Sequence, residues 1–122
     1  MAKILIVDDS SFQRRLVRGL LTKLGHEVIE ADSGASGLAM LRESRPELVL
    51  VDLLMPELSG YEVLERLQQE SCPIPRVVLT ADVQETAKQQ CLGLGAFRVL
   101  NKPPKEKLLH ETINLALGEG GP

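Results

Sequence analysis

The chain has 122 residues, a length that fits one domain able to bury roughly two-thirds of the surface it would expose unfolded. With 14 Lys plus Arg against 17 Asp plus Glu, its formal charge of −3 argues against a sequence-blind nucleic-acid binder, which needs a basic face to neutralise phosphates. The start MAKILIVDD sets acids directly behind a short apolar run, unlike a secretory signal, and no stretch reaches the ~20 apolar residues of a membrane helix. A soluble cytoplasmic protein with no membrane insertion and no direct nucleic-acid ligand is expected.

In chain order, strand and helix patterns alternate. Lys3 to Val7 (KILIV) reads as a strand, followed by Asp8, Asp9 and Ser10. Ser10 with Gln13 makes a capping-box signature, and Phe12, Leu16, Leu20, Val17, Leu21 and Leu24 follow a helical stripe ended by Gly25. Glu27 to Ala31 alternates like a half-buried edge strand, and Ala35, Leu38, Ala39 and Leu41 mark a shorter helix ending before Pro46. Leu48 to Pro56 (LVLVDLLMP) opens as a strand buried on both faces and reaches Asp52. Ser59 and Glu62 form a second capping box for a helix lined by Tyr61, Val63, Leu64 and Leu67, closed off by Pro73 and Pro75.

Arg76 to Thr80 reads as the fourth strand, and Asp82 with Glu85 as the cap of a helix whose apolar side is thin: Val83, Ala87, Cys91 and Leu92. That helix is expected to be the most loosely held. Phe97 to Leu100 makes a fifth strand, and Pro103-Pro104 starts a last helix with Leu108, Leu109, Ile113, Ala116 and Leu117 facing inward. Residues 1–118 are expected to form one domain and 119–122 a disordered tail. Cys72 and Cys91 have neither metal spacing nor a C-x-x-C pairing and read as plain thiols, while His26 and His110 read as surface residues.

Five strand–helix repeats with right-handed crossovers give a doubly wound α/β fold, a parallel sheet with helices on both faces. Five strands fit the flavodoxin-like order 2-1-3-4-5, which makes the first and third strands neighbours. Asp8, Asp9 and Asp52 then meet in one crevice at the carboxyl edge of the sheet. Three carboxylates about 5 Å apart repel by roughly 3 kcal/mol per pair at an effective dielectric of ~20, so a positive charge must sit among them. Lys102 after the fifth strand is one candidate and a divalent cation the other; an all-oxygen set with no nearby histidine suits Mg²⁺ rather than zinc.

These residues make the chain resemble the receiver domain of two-component response regulators in its short, CheY-like form. The likeness runs the whole length: Asp8-Asp9, Asp52 with Met55-Pro56 and Gly60, Thr80-Ala81, and Lys102-Pro103. It implies that Asp52 accepts a phosphoryl group from the phosphohistidine of a sensor histidine kinase or phosphotransfer protein. It further implies Mg²⁺ on Asp9, Asp52 and the Leu54 backbone carbonyl, with Asp8 helping through water. Thr80 would offer its hydroxyl to a phosphoryl oxygen, Ala81 would leave room beside it, and Lys102 would neutralise charge. A cis Lys102–Pro103 bond is expected. The protein would catalyse only its own phosphorylation and dephosphorylation, and would signal through a docking face built from the fourth helix, fifth strand and fifth helix, around Lys88, Arg98, Val99, Lys105 and His110.

Two positions depart from the family's pattern. Val99 stands where an aromatic commonly turns inward on activation, so the switch would rest on Thr80 and the loop before the fourth helix. Leu54, two residues after Asp52, cannot hydrogen-bond an attacking water, which implies slow self-dephosphorylation and a separate phosphatase. With the last helix running nearly to the end of the chain, output would come from docking unless the chain is a module cut from a larger regulator. Two alternatives compete. A phosphorylation-independent docking module would lack part of the acid, Thr and Lys set. An aspartyl-phosphate hydrolase of the haloacid dehalogenase type needs an Asp-x-Asp pair after the first strand and a cap segment, both missing here.

Overall fold

A computed structural model describes residues 2–82 and 84–118. Its strands are β1 (Lys3–Val7), β2 (Glu27–Ala31), β3 (Leu48–Val51), β4 (Arg76–Thr80) and β5 (Arg98–Asn101). Its helices are α1 (Ser11–Lys23), α2 (Gly34–Ser44), α3 (Gly60–Gln69), α4 (Glu85–Gly93) and α5 (Glu106–Ala116). All four strand pairings are parallel and the order is β2-β1-β3-β4-β5, the doubly wound arrangement expected. Val83, assigned above to the apolar side of the fourth helix, and residues 119–122, read as a tail, lie outside the described residues.

Because successive strand residues point to opposite faces, each central strand feeds two cores. Leu5, Val7, Val49, Val51 and Val78 pack under α2, α3 and α4. Ile4, Ile6, Leu48, Leu50, Val77 and Leu79 pack under α1 and α5. Each fully buried aliphatic side chain here is worth roughly 1.5–3 kcal/mol, which explains why β1, β3 and β4 carry no polar side chain between their first and last positions. Gly37 lets α2 lie against β1: a Cβ there would stand 2.8 Å from Val7 Cγ2.

The helix faces differ from the expected stripes. Val17 and Leu21 are the buried residues of α1, whereas Phe12 is 69% and Leu16 41% exposed. In α2 the buried face is Gly34, Gly37, Leu38 and Leu41, and Ala35 and Ala39 are exposed. In α5 Leu109 and Ile113 are buried as expected, but Leu108 is exposed. A helical period fixes the spacing of apolar residues, while the phase is set by which side the sheet covers.

The caps differ too. Ser59 and Glu62 form the full reciprocal box at α3. At α1 Ser10 Oγ accepts from the Gln13 N–H at 3.2 Å, but Gln13 does not reach back. The Ser10 N–H is already donated to Asp8 Oδ1 at 2.9 Å, and Gln13 Oε1 is buried with no hydrogen-bond partner among the described residues. Asp82 does not cap α4: the N-cap is Gln84, with no side-chain bond, and Asp82 Oδ1 accepts from the Gln84 N–H ahead of the helix. Pro103-Pro104 precede α5, whose N-cap is Lys105. The thin side of α4 is as expected, with Ala87 and Cys91 its buried residues. His26 is half-buried and accepts from the Ala2 N–H, against the surface expectation, and His110 is exposed. Among the described residues no helix is long and apolar enough to cross a membrane.

Candidate functional site

The residues at the carboxyl edge of the sheet are held by a common device. Each lies one position beyond its strand, and its backbone N–H makes one more bond to the neighbouring strand. Asp8 donates to the Ala31 carbonyl (3.1 Å), Asp52 to that of Val7 (3.0 Å) and Lys102 to that of Thr80 (2.9 Å). The ladder thus runs on just far enough to aim three functional side chains. Gly60, at the start of α3, closes the far side: a Cβ there would come within 2.7 Å of Leu53 Cα and nearer still to the Asp52 carbonyl oxygen. Only glycine allows the helix to start so close to the acid's own backbone.

Asp8, Asp9 and Asp52 each offer a carboxylate oxygen, and the three oxygens lie within 4.8 Å of one another. Asp8 and Asp52 are buried, at 4% and 6% exposure, while Asp9 faces solvent. The Lys102 ammonium bridges the buried two, 2.7 Å from Asp8 Oδ2 and 3.2 Å from Asp52 Oδ2. The ion-pair geometry confirms the expected positive charge among the acids. Burial drives the Asp52 carboxyl above its usual range; the Lys102 charge opposes this, and the Asp8 charge adds to it. Burial pulls the Lys102 ammonium down, but its hydrogen bond to Asp8 and the charges of Asp52 and Asp8 outweigh that and leave it raised. The lysine is therefore a fixed cation, and with the Leu54 N–H it offsets part of the burial of Asp52.

Thr80 is fully buried at the end of β4, between the strands that carry Asp52 and Lys102. Its Oγ1 accepts from the Asp82 N–H at 3.2 Å, leaving the hydroxyl proton to donate. Ala81 is exposed beside it. Leu54 is 58% exposed, and its N–H approaches Asp52 Oδ1 at 3.4 Å. Lys102–Pro103 is cis, as expected. Val99 is half-buried against the core under α4, whereas Phe97 is exposed with the Arg98 guanidinium 5.9 Å above its ring. Sequence reasoning missed Arg14, whose Nη1 donates to the Asp8 carbonyl at 2.6 Å. Its anchor, Glu30, lies on another strand, so no local pattern announces the contact.

A site with three hard oxygen donors, one ammonium and one hydroxyl, reached from solvent on the Asp9 side, has the chemistry to hold a divalent cation together with an oxyanion. Comparison with known proteins identifies the family. Residues 4–114 match the response regulator receiver domain family. The chain is 40% identical over 119 residues to protein PilH of Pseudomonas aeruginosa, covering 96% of this chain and 98% of PilH. It is 42% identical over 115 residues to BvgA of Bordetella pertussis, a putative positive transcription regulator of virulence factors, of which it spans only 54%. Among solved structures, the chemotaxis protein CheY4 of Vibrio cholerae superposes with a TM-score of 0.87 at 31% identity, covering 95% of this chain and 98% of that one. With its acids, threonine and lysine on the ends of adjacent strands, the chain belongs to the family of response regulator receiver domains of two-component signalling.

Proposed function

We propose that Asp52 is the phosphoacceptor of a two-component pathway, taking a phosphoryl group from the phosphohistidine of a sensor histidine kinase or phosphotransfer protein. The observation that carries this reading is the Lys102 ammonium poised between two buried carboxylates beside a third, exposed one. The donor set fits Mg²⁺: three carboxylates, with no imidazole or thiolate among them. Asp9, Asp52 and the Leu54 backbone carbonyl would hold the ion, with Asp8 assisting; when bound it neutralises charge on the phosphoryl oxygens.

The chain's own groups do the rest. An Asp52 carboxylate oxygen forms the new O–P bond while the P–N bond to the donor imidazole breaks, its electron pair staying on the imidazole. Lys102 and the Thr80 hydroxyl meet the phosphoryl oxygens, because phosphoryl transfer needs positioning and charge neutralisation more than covalent help. The product carries about −1.5 to −2 charges where the Asp52 carboxylate carried one, and Lys102 must then be shared between Asp8 and the phosphoryl group. The Thr80 hydroxyl moving toward that group, through its Asp82 contact, biases the loop before α4. The readout is a change at the α4–β5–α5 face. With Val99 in place of an aromatic, this loop bears the switch. The protein works in the cytoplasm on protein partners and acts on no other substrate, with a separate phosphatase for fast reset.

Incubation with a small phosphodonor and Mg²⁺, read by intact mass, tests the reading. One added phosphoryl group, lost in Asp52→Ala, is expected. Donor turnover without a stable adduct would point to a hydrolase, and an unmodified mass to a phosphorylation-independent docking module.

A further inference from the structure

Asp8 is bonded at every polar atom. Its N–H reaches Ala31 and its Oδ1 accepts from Ser10. Its Oδ2 pairs with Lys102, and its carbonyl oxygen accepts from Arg14 Nη1 at 2.6 Å. Asp9 is the opposite case. It is exposed, and its carboxylate makes no hydrogen bond or ion pair among the described residues, yet it stands within 4.8 Å of the other two acids. Only backbone geometry keeps it there. The peptide unit is planar, so the Asp8 carbonyl and the Asp9 N–H and Cα turn together. Whatever fixes that carbonyl fixes where the Asp9 N–H and Cα lie, and so the point from which its side chain starts.

We propose that Arg14 is a positioning residue for the cation site, holding the Asp8–Asp9 peptide so that the otherwise free Asp9 carboxylate stays among the acids. Arg14 is suited to this. Its Nε is held at 3.1 Å by Glu30 of the edge strand β2, whose second oxygen pairs with Arg18. The Arg14 side chain is 16% exposed, which limits competition from water. Two separate nitrogens of one rigid guanidinium are in use, an arrangement lysine cannot reproduce. The tie runs from β2 across α1 to the end of β1, so the loop carrying both acids is held from outside its own strand.

The inference rests on the reading of the acids as a divalent-cation site, and the test separates the two. Mn²⁺ alone is titrated into the full chain and followed by the resonance of the free ion, alongside thermal unfolding in EDTA. Arg14→Ala should weaken Mn²⁺ about tenfold, the scale seen when a partner that orients a metal ligand is removed. Arg14→Lys, with a single ammonium to divide between Glu30 and the carbonyl, should fall between Ala and the parent. Glu30→Gln, which loosens Arg14 without deleting it, should weaken binding a few-fold. If Arg14 merely stabilised the fold, the EDTA midpoint would drop and the Mn²⁺ affinity would not move, which would overturn the proposal. Should Arg14→Ala fail to fold, parent-like affinity in Glu30→Gln overturns it equally. A parent that binds no Mn²⁺, or an Asp9→Ala variant that binds as the parent does, would remove the cation-site reading itself, a result distinct from a binding parent matched by Arg14→Ala.

Discussion

Asp52→Asn removes one negative charge from a crevice that already contains Asp8 and Asp9 and keeps the shape of the side chain. At an effective dielectric of about 20, Lys102 at 3.2 Å returns roughly 5 kcal/mol to the ionised Asp52. Each of the other carboxylates, within 4.8 Å, takes back at least about 3.5 kcal/mol on the same scale. Asp8 is buried and counts nearly in full; Asp9 is exposed and solvent screens most of its share. The pairwise terms therefore come close to cancelling, and the cost of burying a carboxylate decides the sign. This agrees with the raised Asp52 carboxyl, for which burial is the largest cause.

The metal-free Asn variant should be more stable than the parent at pH 7 by about 1–2 kcal/mol, or roughly 4–8 °C in Tm for a domain of this size. A carboxyl whose folded pKa lies above its unfolded value binds its proton more tightly when folded. The parent thus loses stability as pH rises from about 3.9 through the folded value, and stays penalised above it. The gain from Asn should fade on acidification, once both states carry the proton. Thermal unfolding by circular dichroism in EDTA, at pH 7 and then in acid, measures both. An Asn variant no more stable than the parent at pH 7 would refute the charge accounting.

Three further outcomes follow from the same geometry. Lys102→Met leaves Asp8 and Asp52 facing each other uncompensated and should cost about 3–5 kcal/mol in urea unfolding at pH 7. The parent's advantage, complete below the unfolded lysine value of about 10.4, should disappear as pH rises through the raised folded one; a loss under about 1 kcal/mol at pH 7 would contradict the bridge. Gly60→Ala drives a methyl into the Asp52 and Leu53 backbone and should cost about 1–3 kcal/mol while lowering phosphoryl uptake, so a variant matching the parent in both would show that α3 can retreat freely. Leu54→Asn should leave stability within about 0.5 kcal/mol, since Leu54 is exposed, yet speed loss of the phosphoryl group; a parent that decays within seconds with Mg²⁺ and no partner would contradict slow self-dephosphorylation.

Much of the architecture was readable from the linear chain. Aliphatic runs of three or four residues leading into Asp8, Asp52 and Thr80 read as strands covered on both faces, and the helices between them call for parallel pairing. Once the strand order is 2-1-3-4-5, the acids and Lys102 must converge. The misplaced details share one character. Phe12, Leu16 and Leu108 obey a helical period yet point to solvent, because periodicity carries no information about which side of the helix the sheet will cover. The Ser10-Gln13 box fails because Asp8, outside the helix, takes the N–H that the box requires. Asp82 bonds to Gln84 instead of capping α4 because the turn after Thr80 competes for the same carboxylate.

Strand identity, parallel pairing and the chemical type of the acids, threonine and lysine follow from residue type and spacing, because burial patterns and crossover handedness act locally and recur with each repeat; the order 2-1-3-4-5 is the common arrangement that a five-stranded doubly wound sheet fits. The pairing of Lys102 with both buried acids, the upward shift of Asp52 and the hold of Arg14 on the Asp8 carbonyl were settled only by the assembled fold. Each depends on distances between atoms as many as 94 residues apart in the chain, and on how much water reaches them. Charge–charge energies scale with separation and local dielectric, and neither quantity exists until the sheet has closed its two cores around the crevice.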